Sequence, residues 1–144
     1  MNNAAQLHLV VPGTLYDVRI ATEKITGSCL WFSGDDLALF STAVMEALVN
    51  IVKHSHCFSE QLTIEINVSY DDDAVVLVIE DNGCGMEPSK FLAASRKIDF
   101  DATNILTMPE AGMGIAIIKS VMDSVKYERL SGVNRLTAVR RWSK

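Results

Sequence analysis

Basic residues never gather in this chain; Arg140-Arg141 is the nearest approach to a run, and the formal net charge is −5. A phosphate backbone is held by clustered Lys and Arg, so nucleic acid is not expected as a partner. Long hydrophobic runs are missing too. No stretch approaches the roughly 18 apolar residues of a membrane-spanning helix. The N-terminus, MNNAAQLHLVVPG, lacks the positive start and long apolar core of a secretory signal. Cysteine is scarce: Cys29, Cys57 and Cys84 make an odd count without a Cys-x-x-Cys pair. That leads to an expectation of reduced thiols in a cytoplasmic protein and away from a disulfide framework. Nor is there a P-loop GxxxxGK[ST], so any phosphate binding must be built from other parts.

What remains is an ordinary globular composition, with 49% apolar and 22% charged residues in 144. This is enough for a single domain, 1–144, with a buried core. Pro12-Gly13 stops a short apolar segment, 6–11, which reads as an opening strand. Thr14 and Asp17 have the form of a capping box leading into a helix that runs to about Leu30. A second capping signal, Ser33-Gly-Asp-Asp36, precedes a helix from about Asp35 to His54. On it Leu37, Phe40, Val44, Leu48, Ile51 and Val52 form an apolar face, while Glu46, Asn50 and His54 stand one turn apart on the other.

Leu62, Ile64, Ile66, Val68 and Tyr70 alternate with polar residues, as in a half-buried strand. Asp71-Asp72-Asp73 turns the chain into AVVLVIED, whose nearly continuous apolar run suits a central strand. The turn Asp81-Asn-Gly-Cys-Gly-Met86 follows. The segment from Glu87 to Ala111 has Pro88, Pro109 and a short helix candidate at 89–98. A connection of this length suits a lid or a binding loop. Gly112-Met113-Gly114 opens a helix with Ile115, Ile118, Val121 and Met122 on one face. A hairpin, 125–130 and 135–142, closes the chain around Ser131-Gly132.

Three polar constellations suit one task. Glu46 and Asn50 offer an acid and an amide. Asp81, at a strand end before Gly83 and Gly85, can accept a hydrogen bond from an exocyclic amine while the glycines admit a flat ring. Gly112 and Gly114 at a helix start can turn free N–H groups to phosphate. Taken singly, each is better explained as a solvated helix face, a turn, or a loop-to-helix junction.

In order and spacing they resemble the ATP-binding domain of the GHKL ATPases. Glu46-Ala-Leu-Val-Asn50 stands for the N box, Asp81-Asn-Gly-Cys-Gly85 for the G1 box and Gly112-Met-Gly114 for the G2 box. The likeness spans essentially the whole chain, with a lid at about 87–111. MEALVNIVKH and AGMGIAIIKSVMDSV are similar to the stand-alone anti-sigma-factor serine/threonine kinases. The resemblance implies an α/β (α+β) two-layer sandwich: a mixed, mostly antiparallel sheet of about five strands, covered on one face by about three helices. It implies ATP and Mg²⁺ as cofactors, with Asn50 as the metal ligand and Glu46 as the general base. Asp81, Gly83, Gly85, Met86, Gly112, Met113 and Gly114 would bind nucleotide. The implied activity is phosphorylation of a STAS-domain anti-anti-sigma factor by a homodimer that also binds a sigma factor. Two alternatives stay open: a nucleotide-holding module that sequesters a partner without phosphoryl transfer, and a related kinase in a non-sigma complex.

The chain departs from the pattern at Gly132-Val-Asn134-Arg135, where relatives often carry Gly-Thr, and at Pro109-Glu110-Ala111, where some carry a basic residue. Asn134 is a candidate phosphate donor. His54 and His56 have the spacing of a metal pair without a third ligand, and His54 is expected on the nucleotide side of its helix.

Overall fold

The computed structural model describes residues 5–29, 32, 34–55, 61–86, 91 and 114–141. They form strand β1 (Ala5–Pro12), helices α1 (Leu15–Ser28) and α2 (Gly34–His54), strands β2 (Thr63–Tyr70) and β3 (Ala74–Asp81), helix α3 (Gly114–Val121), and strands β4 (Ser124–Leu130) and β5 (Val133–Arg141). The five strands make one sheet in the order β1-β2-β3-β5-β4. Every pairing is antiparallel, the limiting form of the mostly antiparallel sheet expected. β3 is the central strand.

Alternation decides which side of each strand meets the helices. The register aligns Val68, Leu77 and Ala138 across β2, β3 and β5, then Ile66, Ile79 and Leu136, then Ile64, Asp81 and Asn134. All nine residues in these rows are buried. The last row departs from apolar chemistry at the strand end that leads into the Gly83–Gly85 turn. The opposite face is mixed: Val76, Val78 and Val139 stand there beside the Arg135–Glu80 pair at 2.9 Å and the His8–Glu65 contact at 2.7 Å.

Thr14 caps α1: its Oγ1 accepts the Asp17 N–H at 3.0 Å, and Asp17 adds a favourable charge in the first turn. The helix buries Val18, Ala21, Thr22 and Ile25, and the Thr22 hydroxyl is satisfied by the Val18 carbonyl at 2.8 Å. α2 lies between α1 and α3 and buries Phe40, Ala43, Val44, Ala47 and Leu48. Its first turn carries Asp35 and Asp36 and its last Lys53 and His54, both matched to the helix dipole.

α3 stops at Val121, earlier than its apolar pattern suggests. Asp123 donates its N–H to the Val139 carbonyl at 2.8 Å and accepts the Arg141 N–H on Oδ2 at 2.6 Å, which draws the chain into the sheet. Arg140 fastens the layers together. Its guanidinium donates to the Val121 carbonyl at 2.5 Å and to Asp36 Oδ1 at 2.9 Å, and lies 5.9 Å from the centre of the Phe32 ring. The helix candidate at 89–98, the capping role of Ser33 and the lid fall outside the described residues, apart from Phe91.

Candidate nucleotide site

Where the sheet end meets α2 and α3, a cleft opens to solvent. Ala47, Asn50 and Ile51 of α2 form one wall, and Ile115 and Ile118 of α3 a second. Ile79 and Asp81 of β3, Tyr127 of β4 and Leu136 of β5 form the floor, with Met86 and Phe91 at the side. The walls are apolar and the polar groups few, the usual make-up of a small-molecule site.

Asp81 is the deepest polar group, 5% exposed. Its Oδ1 accepts the Gly83 N–H at 2.8 Å and the Asn134 amide at 3.0 Å. Burial pushes its pKa above the ordinary carboxylate value, and the hydrogen bonds from Asn134 and Gly83 oppose that rise. Asn134 thus faces Asp81 across the β3–β5 pair, and its amide nitrogen also donates to the Gly83 carbonyl at 2.9 Å.

Two glycines of the turn are required for different reasons. A Cβ on Gly83 would lie 2.1 Å from the Ser55 carbonyl oxygen, because the turn passes directly under the end of α2. The Cys84 N–H donates to that same oxygen at 3.1 Å. Gly85 has φ +74°, and a Cβ there would lie 2.3 Å from Asn134 Oδ1 and 2.8 Å from Tyr127 Oη. Asn82 is structural: its side chain accepts the Thr63 N–H at 2.8 Å and donates to the Gln61 carbonyl at 3.0 Å, pinning the turn to the start of β2.

Glu46 is half-buried one turn before Asn50. Burial raises its pKa, and the Lys53 ammonium works the other way. Its Oε2 lies 2.9 Å from where a Cβ on Gly114 would stand, so the carboxylate rests against the first residue of α3. The N box and the last glycine of the G2 box therefore meet in space. Gly112 and Met113 lie outside the described residues.

Three side chains without a sequence signal of their own also shape the cleft. Tyr127 Oη accepts the Met86 N–H at 2.8 Å. The Tyr127 ring stacks on Phe91 at 5.6 Å between centroids and 25° between planes. The Lys119 ammonium sits 4.6 Å over the Phe91 ring and donates to the Phe91 carbonyl. Tertiary packing brings them together, and in sequence Tyr127 reads simply as one residue of a hairpin.

Several expectations change. Asn134, a candidate phosphate donor, spends its amide on Asp81 and Gly83. His54 is exposed and absent from the cleft lining. Among the described residues no group of three or more His, Cys, Asp or Glu is placed to hold a metal, and His56 lies outside them. Reduced thiols are found at the buried Cys29 but not at Cys84, which is disulfide-bonded. An odd cysteine count requires only one free thiol, so it could not exclude a pair.

Residues 12–140 match the profile of the histidine kinase-like ATPase domain, and the chain belongs to that family. It is 26% identical over 129 residues to the serine-protein kinase RsbW of Halalkalibacterium halodurans, covering 88% of this chain and 78% of that one. It is 33% identical over 101 residues to RsbW of Staphylococcus aureus, covering 69% and 62% respectively. With RsbW of Staphylococcus epidermidis it shares 33% identity over 105 residues, 70% of this chain and 64% of the other. The fold is also that of the mycobacterial sensor histidine kinase MprB, at a TM-score of 0.53 and 17% identity over 92% of this chain and 97% of the other.

A histidine kinase-like ATPase domain implies ATP binding. The cleft offers a buried acceptor in Asp81, a turn kept free of a side chain at Gly85, and apolar walls. No described helix is long and apolar enough to cross a membrane.

Proposed function

We propose that the protein is an ATP- and Mg²⁺-dependent protein serine/threonine kinase and anti-sigma factor. It would phosphorylate a STAS-domain anti-anti-sigma factor in cytoplasmic partner switching, with the whole chain, 1–144, acting as one ATPase domain and 87–111 as its lid. The relatives named serine-protein kinase support the reaction class. One observation carries the reading: Glu46 is a half-buried carboxylate one turn before Asn50, packed on Gly114 at the start of α3. A domain that only holds nucleotide has no use for a base at that point.

Asn50 lines the cleft and offers a hard amide oxygen to Mg²⁺, which is usually bound by one or two protein ligands plus phosphates and water. The metal, when bound, neutralises phosphate charge. Asp81 accepts the exocyclic amine of the base, with Gly83, Gly85 and Met86 shaping the turn around it. Gly112, Met113 and Gly114 carry backbone N–H groups to the phosphates. Glu46 orients the acceptor hydroxyl and takes its proton as the new P–O bond forms and the bond to the ADP oxygen breaks. Burial, by raising its pKa, makes it a stronger base than an exposed glutamate.

The homodimer has support in β1, an edge strand of eight residues without Lys, Arg, Asp or Glu. Val10 is 57% exposed on it, and Leu15 and Tyr16 at the start of α1 are 57% and 72% exposed. Edge strands that stay unpaired usually carry blocking charges.

The test is transfer of label from ATP·Mg²⁺ to STAS-domain proteins of the same organism, with wild type and Glu46→Gln. Wild type is expected to label a serine or threonine. Glu46→Gln is expected to lose about 100-fold or more in transfer, in the range for a general base, with ATP affinity changed little. ATP binding without label on any STAS protein would instead favour a module that sequesters its partner without transfer.

A further inference from the structure

Asp81 and Asn134 face each other at the end of β3 and β5, and both are buried, 5% and 4% exposed. The amide nitrogen of Asn134 has two hydrogens and uses both, on Asp81 Oδ1 at 3.0 Å and on the Gly83 carbonyl at 2.9 Å. Both neighbours accept, so the amide has one orientation; turned over, its oxygen would face two oxygens. The Gly83 N–H reaches the same Asp81 oxygen at 2.8 Å. Oδ1 therefore holds two hydrogen bonds, whereas Oδ2 receives none from a described residue. The side chain carrying it lines the cleft.

We propose that Asn134 is the positioning residue for base recognition: it holds Asp81 so that Oδ2 alone meets the base, and so sets a preference for a 6-amino over a 6-oxo purine. The inference rests on the nucleotide reading above. A 6-amino group donates to the free carboxylate oxygen, while a 6-oxo group brings an oxygen against it. With Asn134 in place, the carboxylate cannot rotate away from that contact without giving up hydrogen bonds in a buried setting, where an unmade bond is costly. The same amide ties the turn, so carboxylate and turn keep one geometry. Without it, Asp81 is free to adopt a rotamer that tolerates a 6-oxo group.

Calorimetric titration with ATP and with inosine triphosphate, on wild type, Asn134→Ala and Asn134→Thr, tests this. Wild type is expected to favour ATP. Asn134→Ala is expected to narrow the ratio of the two affinities about tenfold or more, the scale of a hydrogen bond to a charged group. Asn134→Thr, β-branched as strands favour and with one hydroxyl donor for two N–H groups, keeps the protein folded if the alanine variant does not. It should narrow the ratio less. A merely structural role weakens both nucleotides in parallel, and an unchanged ratio in the folded variants overturns the proposal. A wild type that binds both nucleotides equally overturns it while leaving the nucleotide reading intact. A wild type that binds neither overturns both.

Discussion

Burial works against the carboxylates of Asp81 and Glu46, and the cost has a sign that can be measured. The folded-state pKa of Asp81 lies above the ordinary 3.8, with desolvation as the leading cause. A carboxyl group raised in this way contributes stability that is fully present below the unfolded value and is lost as pH rises through the folded one. Ionising Asp81 in the folded state therefore weakens the apo protein. Asp81→Asn removes the charge while keeping an Oδ1 that can accept from Gly83 and Asn134. In thermal melts without nucleotide the variant is expected to be at least as stable as wild type at pH 8. That advantage should shrink as pH falls towards 4. ATP affinity falls in the same variant; a loss of apo stability at pH 8 that is larger than at pH 4 would contradict the argument. Asp81 itself was legible in the sequence, as a carboxylate ending an apolar strand before glycines. Its locking by Asn134 was not, because residues 53 positions apart meet only through the β3–β5 register.

Elements were read mostly from local pattern, and where the reading slipped a contact from outside the element explains it. α1 starts where Thr14 caps it, since a cap is a bond between neighbours in sequence. α3 ends early because β5 captures Asp123 through Val139 and Arg141, which the helix's own periodicity cannot report. Arg140 is the sharpest case: in sequence it is half of a small basic pair, yet its side chain is only 16% exposed and joins β5 to both α2 and α3. Arg140→Met is expected to lower stability by about 2 kcal/mol, below the range for fully buried pairs because the Asp36 side chain is 35% exposed. Asp36→Asn keeps an acceptor for the guanidinium and should cost less. Urea denaturation of both variants decides, and equal costs would show that the Val121 carbonyl and Phe32 contacts contribute nothing separate.

At the scale of the molecule, β1 and β4 are the two edge strands of the sheet among the described residues, and of these only β4 contributes to the cleft. In the proposed homodimer, association through β1 would keep the two clefts apart, so assembly and nucleotide binding could be changed separately. Val10→Lys places a charge on the exposed edge. It is expected to shift sedimentation from dimer to monomer while ATP affinity stays within about twofold, since the residue is remote from the cleft lining. A variant that remains dimeric places the interface elsewhere.

The sequence by itself determined the strand and helix pattern, the apolar face of α2, and the three boxes, because alternation, capping and glycine punctuation are short-range constraints written between neighbours. Tertiary structure alone decided that Glu46 rests on Gly114, that Tyr127 and Phe91 wall the cleft, and that Asn134 serves Asp81 and not phosphate. Those contacts depend on strand order and register, which are selected by burying the whole sheet face at once. No single segment carries them.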